Sequence, residues 1–178
     1  MYFFIDTEFT DFRDCDLISL GLVSEDGNHE FYVEITDYKK EFESDFVKKN
    51  IVPLLDNAKY GMTFNEAANA LKNWIEKLPT DKIDVVFDYG GDWYLFVNLV
   101  TQNRPQKEIQ GFEFKQAFLH MLHQRGIHAP NFIQDGFKEL NKAIDAYFVD
   151  IDNRQHHSLV DAKSNRHGWI AGYKAASK

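Results

Sequence analysis

Residues 3–10 read FFIDTEFT. Phe3, Phe4 and Ile5 form the apolar run of a strand buried on both faces, and Asp6 and Glu8 follow, two residues apart. Side chains alternate along a strand, so both acids project to the same face, about 7 Å apart along the chain. Two like charges beside an apolar run repel each other and lose hydration. The pair calls for something positive between its members.

The stretch DLISLGLVSEDGNHEFYVEI (residues 16–35) holds two apolar segments around Glu25-Asp26-Gly27-Asn28, the pattern of an antiparallel hairpin. With the first strand it makes a three-stranded meander. Residues 41–58 show no clear period. Thr63 as N-cap, Glu66 three residues on, and apolar residues at 67, 71, 74, 75 and 78 predict a helix. KIDVVFDYGGDWYLFVNLV (residues 82–100) reads as strand, Gly-Gly loop, helix. A short strand near 109–113 is expected before a helix reaching about Gly126. Further helices are expected over 136–147 and from His157 to about Ala175. This order predicts one α/β domain with a mixed sheet flanked by helices. Sites in such sheets form at the carboxyl ends of strands, where Asp6 and Glu8 lie.

The 178 residues suffice for one domain with a packed core, and the 44% hydrophobic content with 16 Phe, 8 Tyr and 3 Trp fits a globular protein. No repeat or Pro/Gly/Ser linker divides the chain. The single cysteine, Cys15, excludes an internal disulfide and fits a reducing compartment. No segment nears the ~20 apolar residues of a membrane span, and no signal peptide opens the chain. A soluble cytoplasmic protein with no membrane partner is expected. The net charge of −8 argues against a broadly basic nucleic-acid surface. It does not exclude a nucleic-acid enzyme, because carboxylate-held metals invert the field at a site.

Two further segments carry acids in chemically suggestive places. Asp92 follows Gly90 and Gly91 and opens a helix with Leu95, Phe96 and Leu99 on its apolar side. That position also suits an ordinary N-cap, while the glycines allow backbone to approach a ligand closely. Asp88, four residues earlier, is the rival in the same loop. In HHSLVDAKSNRHGW (residues 156–169), Asp161 lies on a helix with His156 five residues before it.

Asp6, Glu8, Asp92, His156 and Asp161 together resemble the motif set of the DEDDh exonucleases, 3′→5′ nucleases on an RNase H-like fold. FFIDTEF, DLISLGLVSEDG and HHSLVDA look closest to small bacterial exoribonucleases of the RNase AS type. The likeness spans the chain from Asp6 to Asp161. It departs in the second motif, where many relatives have Asn-x-x-Phe-Asp and this chain has DYGGD. The resemblance implies phosphodiester hydrolysis with two divalent ions, Mg²⁺ or Mn²⁺, which oxygen-only ligands suit. Asp6 would bridge both ions, Glu8 and Asp161 would complete the site of the attacking water, and Asp92 would hold the second ion. His156 would be the general base. Two such ions would add four positive charges to the formal −8. They answer the question that Asp6 and Glu8 raise.

The resemblance also implies a single-stranded 3′ end as partner, RNA favoured over DNA, with Thr7 and Phe9 against the substrate, and relatives that are often homodimers. An aromatic directly after the second acid would stack on the terminal base, although core packing is the usual duty of a Phe. Trp93 and Tyr94 lie nearby, Trp93 in a helix-packing position. His157, four residues before Asp161, would share its helical face. The H-x-x-x-x-D spacing instead selects His156, with Ser158 capping the helix and leaving His156 on the loop before it. His120, His123 and His128 lack the Cys pair or H-E-x-x-H of a zinc site. Lys39-Lys40 and Lys48-Lys49 read as solvated faces. The rival readings are a DNA exonuclease and a catalytically silent RNase H-like binding module.

Overall fold

The computed structural model describes residues 1–80, 82–104, 122–126 and 134–176, with residues 122–126 described by their backbone. Strand β1 (Tyr2–Phe9) lies inside the sheet, between β2 (Leu17–Ser24) and β5 (Ile83–Phe87). With β3 (Glu30–Ile35), β4 (Gly61–Met62) and β6 (Leu122–Gly126), the order is β4-β3-β2-β1-β5-β6. The meander β1-β2-β3 is antiparallel, whereas β5 runs parallel to β1 and β6 parallel to β5. The mixed sheet of an α/β protein is thus present.

Alternation along β1 sorts its apolar residues between two layers. Phe3 and Ile5 join a core with Ala67, Leu71 and Ile75 of α3 (Phe64–Ile75) and Leu95, Phe96 and Leu99 of α4 (Gly90–Val100). Phe4 faces the other way, packing with Leu140 of α5 (Gln134–Asp150) and Ala162 and Trp169 of α6 (Ser158–Ala176). Asp6 and Glu8 share the α6 face with Phe4. Helix α3 begins as its sequence dictates: the Thr63 N–H donates to Glu66 Oε2 at 2.8 Å, and Thr63 Oγ1 accepts from the Glu66 N–H at 3.4 Å. In the hairpin turn Gly27 adopts φ +78°, a conformation that a Cβ disfavours.

Several elements differ from their sequence readings. The unclear stretch 41–58 holds two short helices, α1 (Asp45–Asn50), capped by Ser44, and α2 (Asn57–Tyr60). Gly90 and Gly91 are not a loop but the first turn of α4, because Asp92 at the third helical position accepts the Tyr89 N–H and starts the helix there. Residues 122–126, expected as the end of a helix, are the outermost strand β6. An edge strand needs no continuous apolar run, so LHQRG gave little sign of it. The strand expected at 109–113 lies outside the described residues. Among the described residues no helix is long and apolar enough to cross a membrane.

One contact sets α6 against the sheet. Gly21 pairs with Asp6 across β1 and β2, and the first turn of α6 rests on it. A Cβ at Gly21 would stand 2.4 Å from the Leu159 Cα and N and 2.5 Å from the Ser158 carbonyl carbon. Ser158 was expected to cap α6; its Oγ instead pairs with Ser19 Oγ at 3.0 Å, fastening this turn to β2. The atoms that a Cβ at Gly21 would meet are backbone atoms, which cannot turn aside as a flexible side chain can. Gly21→Ala should therefore lower stability by about 1–3 kcal/mol, the cost of overpacking a close-packed interior. Urea unfolding reads this as a fall in midpoint; an unchanged midpoint would show that α6 does not bear on the strand.

Candidate metal centre

Strand β1 delivers three functional side chains from consecutive positions. Asp6 and Glu8 project towards α6, while Thr7, on the opposite face, reaches α4. The Thr7 N–H and Oγ1–H both donate to Asp92 Oδ1, at 3.2 and 2.7 Å. The Tyr89 N–H donates to Asp92 Oδ2 at 3.2 Å. Asp92 is buried and held by three hydrogen bonds, so its aim is fixed. The register of β1 against β2 shifts between Glu8 and Phe9, a bulge that re-aims Phe9 at the strand end.

Helix α6 supplies the remaining groups. Asp161, in its first turn, accepts the His156 N–H on Oδ2 at 3.0 Å, and Asp161 Oδ1 is buried with no hydrogen-bond partner among the described residues. His156 precedes the helix at φ +69°, left-handed for a residue with a side chain. One ligand atom each from Glu8, His156 and Asp161 lies within 4.8 Å of the others, which is ion-binding distance.

Asp6, Thr7, Glu8, Phe9, Asp88, Asp92, His156 and Asp161 all line one open cleft of about 260 Å³, with Phe12 and Tyr89. The structure thus brings together every residue singled out for the site. The Thr7 hydroxyl, expected against substrate, is committed to Asp92. Asp92 is not an N-cap, and Asp88 stays beside it at the end of β5. His157 turns away: buried, its ring stacks on Tyr32 with centroids 4.5 Å apart. Trp93 packs on Phe87 and Phe96.

Sequence reasoning missed three aromatics. Phe9 stacks with Tyr89 at 6.3 Å and meets Phe12 edge-on at 5.2 Å, while Phe46 meets the His156 ring edge-on at 4.9 Å. Phe12 is 77% exposed, and Tyr89 and Phe46 are each 51% exposed, so the core does not account for them. The one available sign was Phe12 in the polar run Thr10-Asp11-Phe12-Arg13-Asp14, where a large apolar side chain has no period to join.

No Lys or Arg is among the described residues that line the cleft. Burial first, then neighbouring charge, holds the acids above the usual carboxylate range. Asp6 is well above it through burial and the charges of Asp92, Asp161 and Glu8. Glu8 is pushed up to about 8 by burial and then by Asp161 and Asp92. Burial raises Asp161 to about 7 and Asp92 to about 6, although hydrogen bonds from His156, and from Thr7 and Tyr89, pull back. Burial lowers the His156 pKa, so its imidazole is neutral at pH 7.

Neither protein-family models nor curated proteins give a match to the chain.

The raised acids make stability depend on pH in a defined direction. Unfolded carboxyls titrate near pH ~4. The folded cluster keeps its protons up to about pH 8 at Glu8, so the folded state binds more protons between these values. Stability must fall as pH rises through that window. In EDTA, the melting temperature should drop from pH 5 to pH 8.5, and Glu8→Gln should flatten part of the drop. A melting temperature that rises over this range would contradict the cluster's electrostatics.

Proposed function

We propose that the chain is a metal-dependent 3′→5′ exonuclease on an RNase H-like fold, related to the DEDDh exonucleases and acting on single-stranded ends, with RNA preferred to DNA. The observation that carries this reading is the convergence of Asp6, Glu8, Asp92, Asp161 and His156, from three distant segments, on one cleft that Asp88 also lines, with no cationic side chain among its described lining residues. A mixed sheet with an antiparallel meander and parallel β5 and β6 is compatible with that fold. The RNA preference rests on family resemblance alone.

The donor set fits divalent cations, Mg²⁺ or Mn²⁺. The four acids offer hard oxygens, and one of these, Asp161 Oδ1, is buried without a partner among the described residues. Asp6 would be shared by two ions, with Glu8 and Asp161 beside one and Asp92 beside the other. Asp92 Oδ1 takes both Thr7 donors, so Oδ2 keeps the remaining capacity. When bound, the ions would neutralise charge on the attacking and leaving oxygens of an in-line displacement.

The chain's own residues would do the rest. His156, neutral at working pH, would accept the proton of the attacking water on a ring nitrogen. Phe9, Phe12 and Tyr89 would offer exposed aromatic faces and edges to the terminal base. Stacking tolerates any base but needs it unpaired, which matches a single-stranded end. The Glu8–His156–Asp161 grouping supports a second reading, in which His156 is itself a ligand of a single ion.

The test is degradation of 5′-labelled RNA and DNA oligonucleotides with Mn²⁺ or EDTA. Shortening from the 3′ end should require metal, and Asp161→Asn and Asp92→Asn should abolish it while Asp88→Asn stays near wild type. His156→Ala should lower turnover by roughly 10²–10⁴-fold, the range of a general base, and His157→Ala by far less. Unimpaired digestion in EDTA would refute metal dependence. No digestion of either polymer would favour the silent binding module, and a dead Asp88→Asn beside an active Asp92→Asn would overturn the second motif's alignment.

A further inference from the structure

The sheet face that carries the two first acids continues beneath α6 onto β2 and β3. Strand registers align Glu8 with Ser19 and Glu34, and Asp6 with Gly21 and Tyr32. Glu34 is fully buried, and the proposed reaction has no use for it. A buried carboxylate is costly unless its hydrogen bonds serve a purpose. Glu34 Oε1 accepts the Tyr32 hydroxyl at 2.8 Å and the Asp56 N–H at 2.9 Å.

The oriented Tyr32 ring then meets two others. It stacks on the His157 imidazole with planes 22° apart, and Tyr60 meets it edge-on at 4.9 Å. His157 in turn anchors the start of α6, its carbonyl accepting the Val160 and Asp161 N–H groups at 2.7 and 3.0 Å. The residue just before it is His156 at φ +69°. Such a conformation persists only where its surroundings over-determine it. One tether is the His156 N–H on Asp161 Oδ2, but Asp161 is also a proposed ligand, whose charge a cation would share. The second tether is the His157 side chain, and Tyr32 holds it.

We infer that Tyr32, oriented by buried Glu34, is a positioning residue that locks His157 and so keeps the His156 backbone in the left-handed conformation that turns its imidazole to Glu8 and Asp161. The inference deepens the nuclease reading and rests on it for the consequence in turnover; the conformational claim stands on the packing alone. Burial and the Glu34 charge hold the Tyr32 pKa well above the tyrosine range, so the hydroxyl keeps the proton it donates.

The experiment measures amide hydrogen exchange at His156 by NMR in the full chain without metal, and turnover with Mn²⁺ on a short RNA. Tyr32→Leu removes the stack and should speed His156 exchange at least about 10-fold, with core amides such as Leu71 unchanged. It should lower kcat about 10-fold with KM within about 2-fold, as expected for a misaligned base rather than lost substrate binding. Tyr32→Phe keeps the ring and loses only the hydrogen bond to Glu34, so His156 protection and kcat should fall between those of Tyr32→Leu and the wild type. If Tyr32→Leu does not melt cooperatively, His157→Leu removes the stack from its other side and carries the same expectations. The inference is overturned if the folded variant lacking the stack exchanges His156 at the wild-type rate, or if Tyr32→Phe fails as badly as Tyr32→Leu. Absence of nuclease activity in the wild type would defeat the nuclease reading, while His156 exchange would still decide the positioning role.

Discussion

The seat of α6 on Gly21 is the constraint from which the rest of the site follows. Backbone meets backbone there, and only a residue without a Cβ leaves room. Because Gly21 pairs with Asp6, the same close approach carries Asp161 and His156 to the acids of β1. The polar residues of this face serve that approach. Ser19 fastens Ser158, and Tyr32 stacks under His157. On the opposite face Thr7 fixes Asp92, so β1 organises both sides of the cluster.

The cluster is expensive for the protein alone. Four carboxyls are held above their usual range mainly by lost hydration, and mutual repulsion adds to this for Asp6 and Glu8. Shifts of this kind collect at functional sites, although ion-pair networks also produce them. Here no lining Lys or Arg among the described residues supplies the opposing charge. Arg104, which does pair with acids, is committed to Asp16 and Asp37 instead. A cation that binds only the folded state would offset this cost and stabilise the protein by mass action.

Much of this was legible in the sequence, for physical reasons particular to each element. The apolar run and alternation of FFIDTEFT fixed β1 and put Asp6 and Glu8 on one face. The Thr63–Glu66 pair marked the start of α3, and Glu25-Asp26-Gly27-Asn28 marked the hairpin. Long-range packing was less visible. Nothing local distinguishes Gly21, in an apolar strand, from a glycine that merely weakens it, yet it seats a helix 137 residues further on, at Ser158. The β6 strand lacked the apolar run of an inner strand because it lies at the edge. Phe12, Tyr89 and Phe46 belong to no periodic pattern, since they serve a surface rather than the core. Glu34 is buried by packing that no local pattern around it announces.

The proposed function requires that the acids of β1, α4 and α6 hold two divalent ions together. Anomalous scattering from crystals soaked in Mn²⁺ with a nucleoside 5′-monophosphate tests it most directly. The account predicts two peaks about 3.5–4 Å apart, the spacing of two-metal sites, bounded by Asp6, Glu8, Asp92 and Asp161. Mn²⁺ bound elsewhere with no peak among these carboxylates would contradict it.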